Sequence, residues 1–396
     1  MISLIIPSFN NLKHLKNAYE SIKKHAPEAE LILIDDGSID GTWEWITQVA
    51  EGDDKVSKIR WDKRVGHTIL YDIGIREATN EIVGILHADM ILGPNYIENM
   101  IKHLKPGTAV CGTRIEPPLH PPGKEKIVMD FGLDFDSLNI LEFESYCQKL
   151  QKDYKDETTR GMFAPWIIYK KDFESIGGHD PIFAPFPYED SDIFQRWILA
   201  GYKLVQSRDA FVYHLTCRGH RWSEQIGKDD DFYQKASNKA SRNYLRKWGT
   251  WIKNDEYQYP IVPNKYNIGY VVKNCNLQLL SILEPWCDTI YIEDEMRVLT
   301  NHYLDVEQNN TLFDLDKKIK VIGRHEQADD IIVEFDAKSI NENSFQLLQQ
   351  LSEIISQSGE IGEFELDPFK IRIKKLDTYQ KNLVNLKDLN YASKLL

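Results

Sequence analysis

The sequence predicts an α/β fold with a mostly parallel mixed sheet flanked by helices, followed by a second, smaller α/β domain. Three observations support this prediction. Short apolar runs alternate with segments of helical periodicity through the first hundred residues, polar residues follow several of these runs, and the alternation restarts near residue 267. Continuous apolar runs are typical of strands buried on both faces, and helices between them imply crossover connections and therefore parallel strands.

The first hundred residues contain four predicted strands, each followed by a helix. In the first helix Leu12, Leu15 and Tyr19 recur at helical spacing, and Asn10 or Asn11 provides the N-cap. The predicted strands are "ISLIIPSF", "ELILIDDGS", "SKIRWDK" and "EIVGILHAD". The predicted helices are "NLKHLKNAYESIKKHAP", "TWEWITQVA", "TILYDIGIREA" and "PNYIENMIKHL".

The chain then leaves this regular alternation. Residues 117–158 are first Pro-rich and then charged, which indicates an excursion over the sheet. "MFAPWIIYKKDFESIGGHD" resumes strand character and "YEDSDIFQRWILAGY" predicts a helix led by acids. "KLVQSRDAFVYHL" predicts one or two strands, and "FYQKASNKASRNYLRKWG" predicts a helix that ends at a glycine.

These patterns place the first domain at residues 1–250, a linker at 251–266 and the second domain at 267–396. The linker is aromatic and polar and contains two prolines. The second domain repeats the pattern of strands and helices but has no G-x-G-x-x-G segment, so we assign it no cofactor. We expect it to position an acceptor, to form a homo-oligomer contact or to hold a second activity.

The net charge, the cysteines and the apolar runs of the sequence limit the functions and locations that this protein can have. The chain of 396 residues has a formal net charge of −13, which argues against general nucleic-acid binding. Its five cysteines are scattered without a C-x-x-C pair, which fits reduced thiols in the cytoplasm. "MISLIIPSF" has no basic segment and reads as a core strand, and no apolar run approaches 18 residues, so we expect neither a signal peptide nor a transmembrane helix.

Polar residues at three predicted strand ends form the first candidate site: Ser8 to Asn10, Asp35 with Asp36, and His87 to Asp89. Ligands of parallel sheets bind at the carboxyl ends of the strands, so one crevice is expected to collect all three groups. Asp89 follows a buried run, where a carboxylate needs a partner such as a divalent ion that bridges phosphates. Asp35 and Asp36 fit either an ordinary turn or a contact with a base N–H or a ribose hydroxyl.

A second candidate group lies far along the chain in "VYHLTCRGHRW". His214 ends a predicted strand, and Arg218, His220 and Arg221 follow within seven residues. Arginine forms forked contacts with phosphate oxygens, so this cluster suits an anionic ligand. His214 alone also fits an ordinary core or surface histidine.

A third group is the acidic start of the helix in "FPYEDSDIF". Glu189, Asp190 and Asp192 are concentrated where the helix dipole favours acids. Helix capping accounts for one of the three. A carboxylate at the edge of a cleft can also act as a general base that takes a proton from an attacking hydroxyl.

Together these motifs resemble the family 2 glycosyltransferases of the GT-A fold. The resemblance covers about residues 1–250 and depends on five segments in the order of that family. The segments are "LIIPSFNN", "ILIDDGSIDGT", "KRVGHTILYDIGIREA", "ILHADMIL" and "GGHDPIFAPFPYEDSDIFQRW". Each segment alone is a weak signal, and their order and spacing make the resemblance strong.

The resemblance implies roles for particular residues. "HAD" stands where the family carries D-x-D, which makes Asp89 a ligand of Mn²⁺ or Mg²⁺ and His214 a further ligand. Asp190 matches the catalytic base, with Glu189 beside it in the E-D pair. The nucleotide-binding residues that the resemblance implies are Pro7, Ser8, Phe9, Asn10, Asp35, Asp36, Arg64, Gly66, His87, Ala88 and Arg218.

The implied reaction is an inverting transfer from a nucleotide-diphosphate sugar to an acceptor hydroxyl. Asp190 deprotonates the hydroxyl, and the ion and Arg218 stabilise the charge on the leaving diphosphate. A UDP-sugar is the favoured donor because an Asp can accept the uracil N3–H, with GDP- and dTDP-sugars as alternatives. A protein, a glycan or a lipid-linked sugar fits as acceptor. Trp166 and His179 lie in segments that flank the acceptor site, with core packing as the alternative for Trp166.

One residue departs from the family pattern. His87 replaces the first acid of D-x-D. Three roles are open for it: a direct metal ligand, a ribose contact, or a structural histidine.

Two other functions fit parts of the sequence less well than glycosyl transfer. A nucleotidyltransferase would need a Gly-rich loop with Lys or Arg near the N-terminus, and "PSFNNLKH" contains no glycine. A non-catalytic module that binds a nucleotide sugar or glycan would tolerate loss of the base, yet Glu189 and Asp190 are both present.

Overall fold

Two units make up the part of the chain that the computed structural model describes, which is residues 1–218, 221–222 and 225–378. Among the described residues, the first unit contains 1–237 and 254–261, and the second contains 238–253 and 262–378. The division falls within a helix, and part of the predicted linker goes with the first unit.

The first unit alternates strands and helices as predicted. Its strands are β1 (Ile2–Ser8), β2 (Glu30–Asp35), β3 (Val56–Arg60), β4 (Ile82–Ile85), β5 (Met90–Leu92), β6 (Thr108–Glu116), β7 (Lys126–Val128), β8 (Thr158–Thr159), β9 (Trp166–Tyr169) and β10 (Lys203–His214). Its helices are α1 (Leu12–His25), α2 (Thr42–Gly52), α3 (His67–Glu77), α4 (Tyr96–Ile101), α5 (Ile140–Asp153), α6 (Lys170–Ser175) and α7 (Glu189–Leu199). Helix α8 (Asp231–Trp248) begins in this unit and continues into the second.

The first sheet is mixed but dominated by parallel pairs, in the order β3-β2-β1-β4-β9-β6-β10-β5. Strands β1 to β4 pair in parallel, as do β6 and β10, whereas β9 runs antiparallel to both of its neighbours. Strand β7 pairs with β6 and β8 pairs with β10. This arrangement confirms the predicted α/β fold class.

Alternate residues of β1 supply two separate cores, one on each face of the sheet. Leu4 and Ile6 pack in the cluster that contains Leu15 of α1, and Ile5 packs in the cluster that contains Leu70 of α3. Full burial of one such side chain is worth roughly 1.5–3 kcal/mol. Burial on both faces therefore explains why this strand is a continuous apolar run in the sequence.

The predicted strand "EIVGILHAD" is shorter than expected. It ends at Ile85, and the chain re-enters the sheet as β5, antiparallel to β10. Met90 is the register partner of His214, and Leu215 N–H donates to the carbonyl oxygen of Asp89 at 3.1 Å. This pairing places residues 87–89 beside the end of β10, more than a hundred residues away in sequence.

The predicted excursion at residues 117–158 contains a helix that its charged composition did not reveal. Phe143 and Cys147 of α5 pack with Phe211 and Tyr213 of β10. Residues 117–158 thus add a layer over one face of β10.

The second unit is a smaller α/β structure, as predicted. Its strands are β11 (Ile268–Lys273), β12 (Thr289–Ile292), β13 (Ile319–Val321), β14 (Ile331–Asp336), β15 (Gly362–Leu366) and β16 (Phe369–Ile373), and its remaining helices are α9 (Leu277–Leu283), α10 (Val298–Glu307), α11 (Leu315–Lys318) and α12 (Glu342–Ser358). The sheet order is β13-β12-β11-β14-β16-β15, with the β15–β16 hairpin antiparallel to β14. Among the described helices of both units, none combines the length and apolar character required to cross a bilayer.

Candidate functional site

A cleft lies where β1, β2 and β4 end. Most of the residues predicted to bind a nucleotide line it, whereas Asn10, Asp35 and Gly66 do not. The lining residues are Pro7, Ser8, Phe9, Asn11, Asp36, Arg64, His67, Tyr71, His87, Ala88, Asp89, Phe186 and Arg218.

The two acids at the end of β2 have different surroundings. Asp36 accepts hydrogen bonds from the backbone N–H groups of Val65 at 2.7 Å and Gly66 at 2.9 Å, so both of its oxygens are engaged. Burial raises the pKa of Asp36 to about 6, although these two bonds and the charge of Arg64 oppose the rise. Asp35 accepts the Ser38 N–H through Oδ1 at 3.1 Å, and its buried Oδ2 lacks a hydrogen-bond partner among the described residues.

Arg64 lies among aromatic rings at the mouth of the cleft. Its guanidinium carbon is 4.0 Å from the ring centroid of Phe9, 4.5 Å from that of Phe232 and 5.1 Å from that of Phe186. Burial lowers the pKa of Arg64, while the charge of Asp36 opposes the shift. Cation–π contacts of this kind hold the charge in place at the cleft without neutralising it.

Gly66 is required where α3 approaches the loop before α7. Its φ of +88° favours glycine, and a Cβ here would lie 2.3 Å from Cβ of Pro185. The next residue but one, Thr68, donates its hydroxyl to the Pro185 carbonyl at 3.0 Å. Gly66 therefore contributes to the site by allowing close packing of these two segments.

Three side chains converge at the end of β10 in an arrangement that suits a metal ion. His87, Asp89 and His214 each offer one ligand atom, and these atoms lie within 4.8 Å of one another. Asp89 is 1% exposed, and its Oδ2 accepts the backbone N–H of Arg218 at 3.0 Å. The antiparallel pairing of β5 with β10 creates this group from distant parts of the sequence.

The hydrogen bonding of His214 supports a cation at this position. Its Nδ1 lies 2.9 Å from Oε1 of the buried carboxylate Glu116 and donates to it. In the neutral tautomer that donates from Nδ1, Nε2 carries a lone pair; this atom has no hydrogen-bond partner among the described residues and lies 3.7 Å from Oδ1 of Asp89. Two buried acceptor atoms that face each other fit a shared metal ion, and a carboxylate behind the histidine is the usual support of such a ligand.

Glu116 was not predicted from the sequence. Besides His214 it binds Arg114 Nη1 at 2.7 Å and Lys126 Nζ at 2.8 Å. Burial alone would raise the pKa of Glu116, but the hydrogen bond from His214 and the charge of Arg114 hold it well below its ordinary value. The available sequence signal was the Arg-x-Glu pair at the end of a strand that is buried along its whole length.

The acidic pair at the start of α7 is asymmetric. Glu189 Oε1 lies 2.7 Å from His67 Nε2. Burial alone would raise the pKa of Glu189, but the charge of His67 and its hydrogen bond lower it overall. Burial and the neighbouring charge of Glu189 raise the pKa of Asp190 to about 7. Asp192 is separate from this pair, since it is fully buried against Arg196 Nε at 2.7 Å.

His67 and Tyr71 are further site residues that the sequence reasoning missed. They lie one turn apart on α3, and their rings lie near His87 at centroid distances of 6.2 and 6.4 Å. Burial and the charges of Asp190, Glu189 and Asp89 raise the pKa of Tyr71 well above its ordinary value. The signal was a polar pair at i, i+4 in "GHTILYDIG".

The two residues proposed for the acceptor are buried. His179 donates through Nδ1 to Asp72 Oδ1 at 2.7 Å, and its side chain is 1% exposed. Trp166 is fully buried and packs edge-on against Trp197 with centroids 5.0 Å apart. Trp166 therefore presents no exposed ring face for a sugar, and core packing describes its surroundings.

The basic cluster after β10 is only partly directed to the cleft. Arg218 lines the cleft, and its guanidinium donates to the Leu133 carbonyl and lies 5.8 Å from the Trp222 ring. Arg221 pairs with Asp229 at 2.6 Å. His220 lies outside the described residues.

Curated relatives match a limited part of the chain. An uncharacterized glycosyltransferase of Nostoc sp., alr2836, is 31% identical over 104 residues, or 26% of this chain and 32% of the relative. The undecaprenyl-phosphate 4-deoxy-4-formamido-L-arabinose transferase of Photorhabdus laumondii is 30% identical over 118 residues, or 28% of this chain and 36% of the relative. The matches thus span about one third of the length of these relatives.

Solved structures show partial similarity at TM-scores below 0.5. GalNAc-T7 with UDP, GalNAc and Mn²⁺ has a TM-score of 0.45 at 17% identity and covers 63% of this chain and 48% of its own. The mannosyltransferase PcManGT from Pyrobaculum calidifontis, in complex with GDP-Man and Mn²⁺, has a TM-score of 0.40 at 20% identity, with coverages of 55% and 58%.

The family comparison covers most of the first sheet and most of the residues that line the cleft. Residues 3–177 match the model of glycosyl transferase family 2. This range includes the ends of β1, β2 and β4 and residues 87–89. Residues 3–177, somewhat less than half of this chain, are therefore similar to glycosyl transferase family 2.

Proposed function

We propose that this protein is an inverting glycosyltransferase that moves a sugar from a nucleotide-diphosphate sugar to an acceptor hydroxyl, with help from a divalent metal ion. The observation that carries the proposal is the grouping of His87, Asp89 and His214 beside a cleft whose lining residue His67 contacts Glu189 of α7. The family match supports the reaction class.

Asp89 and His214 are the proposed metal ligands, with His87 as a third. Two imidazoles favour Mn²⁺ over Mg²⁺, since Mg²⁺ prefers oxygen ligands. A bound ion supplies positive charge that stabilises the leaving diphosphate. Arg218 adds a second positive charge at the cleft wall, where it suits phosphate oxygens.

Asp190 is the proposed base. A carboxyl with a pKa near 7 is half ionised at neutral pH and accepts a proton more readily than an ordinary Asp. Glu189 is engaged by His67, which favours Asp190 over its neighbour for this role. Attack by the deprotonated hydroxyl in one displacement inverts the anomeric configuration.

The nucleoside is proposed to lie against Pro7 to Asn10, near Asp35 and Arg64. Both oxygens of Asp36 are engaged by backbone groups, and the buried Oδ2 of Asp35 has no hydrogen bond within the described part of the chain but lies 3.6 Å from Arg60 Nε. Either acid is therefore a candidate for a contact with uracil N3–H or a ribose hydroxyl, and a UDP-sugar remains the favoured donor.

The acceptor is proposed to be a glycan or another hydroxyl compound. One relative is named for undecaprenyl phosphate, so a lipid phosphate belongs among the acceptors to be tried. All five cysteines are free, which supports the proposed cytoplasmic location. The second unit remains the candidate for homo-oligomer contacts, since Met296 and Val298 are exposed at one end of α10.

Binding of a nucleotide panel tests the proposal. UDP, GDP, dTDP and CDP are titrated calorimetrically in Mn²⁺ and in EDTA. We expect UDP to bind at least tenfold more tightly with Mn²⁺. Equal binding in EDTA would contradict the metal role, and binding without turnover of any sugar derivative would favour the non-catalytic module.

A further inference from the structure

The hydrogen bond between His67 and Glu189 joins the two segments that carry the proposed site. His67 is the first residue of α3, directly after the backbone that Asp36 holds, and Glu189 is the first residue of α7. The bond is 2.7 Å long, and the two side chains are 19% and 7% exposed. It therefore links the proposed nucleotide side of the cleft to the acidic pair.

Other contacts also connect the start of α3 with the loop before α7. The His67 ring stacks on Phe186 at 5.2 Å with an interplanar angle of 18°. Gly66 packs on Pro185, and Thr68 donates to the Pro185 carbonyl. The packing sets the distance between the segments, and His67 adds a polar contact from this turn of α3 to the acidic pair.

The His67–Glu189 hydrogen bond also makes the basicity of Glu189 differ from that of Asp190. A carboxylate that accepts a hydrogen bond from an imidazole is a weaker base than one without that bond. Glu189 is the acid so engaged, and Asp190 is the next residue along the same helical turn. Fixing Glu189 therefore fixes the turn from which Asp190 acts.

We propose that His67 is a positioning residue for sugar transfer, which holds Glu189 and so places Asp190 against the acceptor hydroxyl. This inference rests on the proposed function, since it assigns His67 a role in that reaction. A displacement of about 1 Å at a reacting group can cost about 100-fold in rate, so loss of this contact should appear in kcat.

Two substitutions separate the hydrogen bond from packing. His67→Leu keeps an apolar side chain on Phe186 but removes the donor, whereas His67→Gln replaces Nε2 with an amide N–H at similar reach. The probe is release of UDP, with water as acceptor, from UDP-glucose, UDP-galactose and UDP-N-acetylglucosamine in Mn²⁺. Calorimetric binding of UDP is measured on the same variants.

We expect His67→Leu to lower kcat by about 100-fold while the Kd for UDP stays within threefold, and His67→Gln to recover at least tenfold. Equal losses in both variants, an unchanged kcat in His67→Leu, or a loss confined to UDP affinity would overturn the positioning role. If His67→Leu does not fold, the Gln variant still decides: a kcat below a tenth of wild type contradicts the proposal.

A matched pair elsewhere in the first unit serves as control. His25 Nε2 lies 2.7 Å from Glu144 Oε1, with side chains 11% and 12% exposed, and neither residue lines the cleft. His25→Leu should leave kcat unchanged. Asp190→Asn separates the two proposals: an active Asp190→Asn contradicts the proposed base, whereas an inactive Asp190→Asn with a fully active His67→Leu contradicts only the inference.

Discussion

Asp190 is the residue on which the proposed chemistry depends most. Asp190→Asn removes the proton acceptor but keeps the size of the side chain. We expect transfer to fall by about 10²–10⁴-fold, with UDP affinity nearly unchanged. Steady-state rates and calorimetry on the same preparation check both parts, and wild-type-like transfer would remove Asp190 as the base.

The raised pKa of Asp190 also gives a signed pH dependence. The ionised form is required, so kcat/KM should rise with pH and level off above about 7. Because the folded-state pKa lies above the ordinary value of 3.8, stability from this carboxyl is fully present below that value and is lost as pH rises to about 7. The Tm advantage of Asp190→Asn should therefore grow from pH 4 to pH 7 and then stay constant.

Substitution of Glu116 tests whether His214 is a metal ligand, because Glu116 accepts a hydrogen bond from the Nδ1 of that histidine. Glu116→Gln weakens the support of His214, and we expect Mn²⁺ affinity to fall by about 10–100-fold. Titration of Mn²⁺ by electron paramagnetic resonance measures the change. Glu144→Gln, which alters a histidine-bound carboxylate outside the cleft, is the control. Equal Mn²⁺ affinity in wild type and Glu116→Gln would contradict the assignment of His214 as ligand.

At the scale of elements, the turn before α3 combines strain and close packing. Gly66→Ala places a Cβ at φ +88° and 2.3 Å from Pro185. We expect a loss of roughly 1–3 kcal/mol in the free energy of unfolding, together with weaker UDP binding, because the same turn presents Arg64. Urea unfolding checks the first effect.

The control for this substitution is Gly52→Ala at the end of α2. Gly52 is not in the left-handed region, and no atom lies within 4 Å of an added Cβ. Its stability should be unchanged or slightly higher. Similar losses in both variants would contradict a specific role for the Gly66 turn.

The sequence predicted the strands and helices better than it predicted which of them pair or pack together. The alternation of apolar runs predicted β1 to β4 and α1 to α4, because burial on both faces leaves a continuous apolar pattern. It did not predict the break after Ile85, since β4 and β5 are both apolar and the pairing of β5 with β10 is non-local. The charged surface of α5 likewise concealed its buried Phe143 and Cys147.

In the candidate site, too, residues within local motifs were predicted, whereas residues defined by contacts between distant segments were not. Asp89, His214 and Asp190 were named from motifs, whereas Glu116 and His67 were missed because their roles depend on contacts across 98 and 122 residues of chain. Trp166 shows the converse: a position inside a recognisable motif does not decide whether an aromatic ring is exposed.

At the scale of the whole molecule, the second unit has a polar centre of its own. Arg246 is fully buried, donates to Glu284 at 2.7 Å and also contacts Glu307. Lys318 completes the cluster at 2.7 Å from Glu284. Burial alone would raise the pKa of Glu284, but the charges of Lys318 and Arg246 hold it well below its ordinary value.

Removal of Arg246 should destabilise this unit strongly. Arg246→Leu leaves two buried carboxylates with fewer partners, and we expect a loss of about 3–5 kcal/mol in urea unfolding. Lys273→Leu is the control, because Lys273 and Glu334 pair at 2.6 Å with side chains 51% and 40% exposed, and such pairs are worth about 0–1 kcal/mol. A loss under 1 kcal/mol for Arg246→Leu would show that the cluster is not a source of stability.

The most direct test of metal-assisted transfer is the rate of UDP release from a UDP-sugar, measured for the wild-type protein in Mn²⁺ and again after EDTA. The arrangement of His87, Asp89 and His214 predicts release that stops in EDTA and returns when Mn²⁺ is restored. Release at the same rate with and without the ion would contradict it.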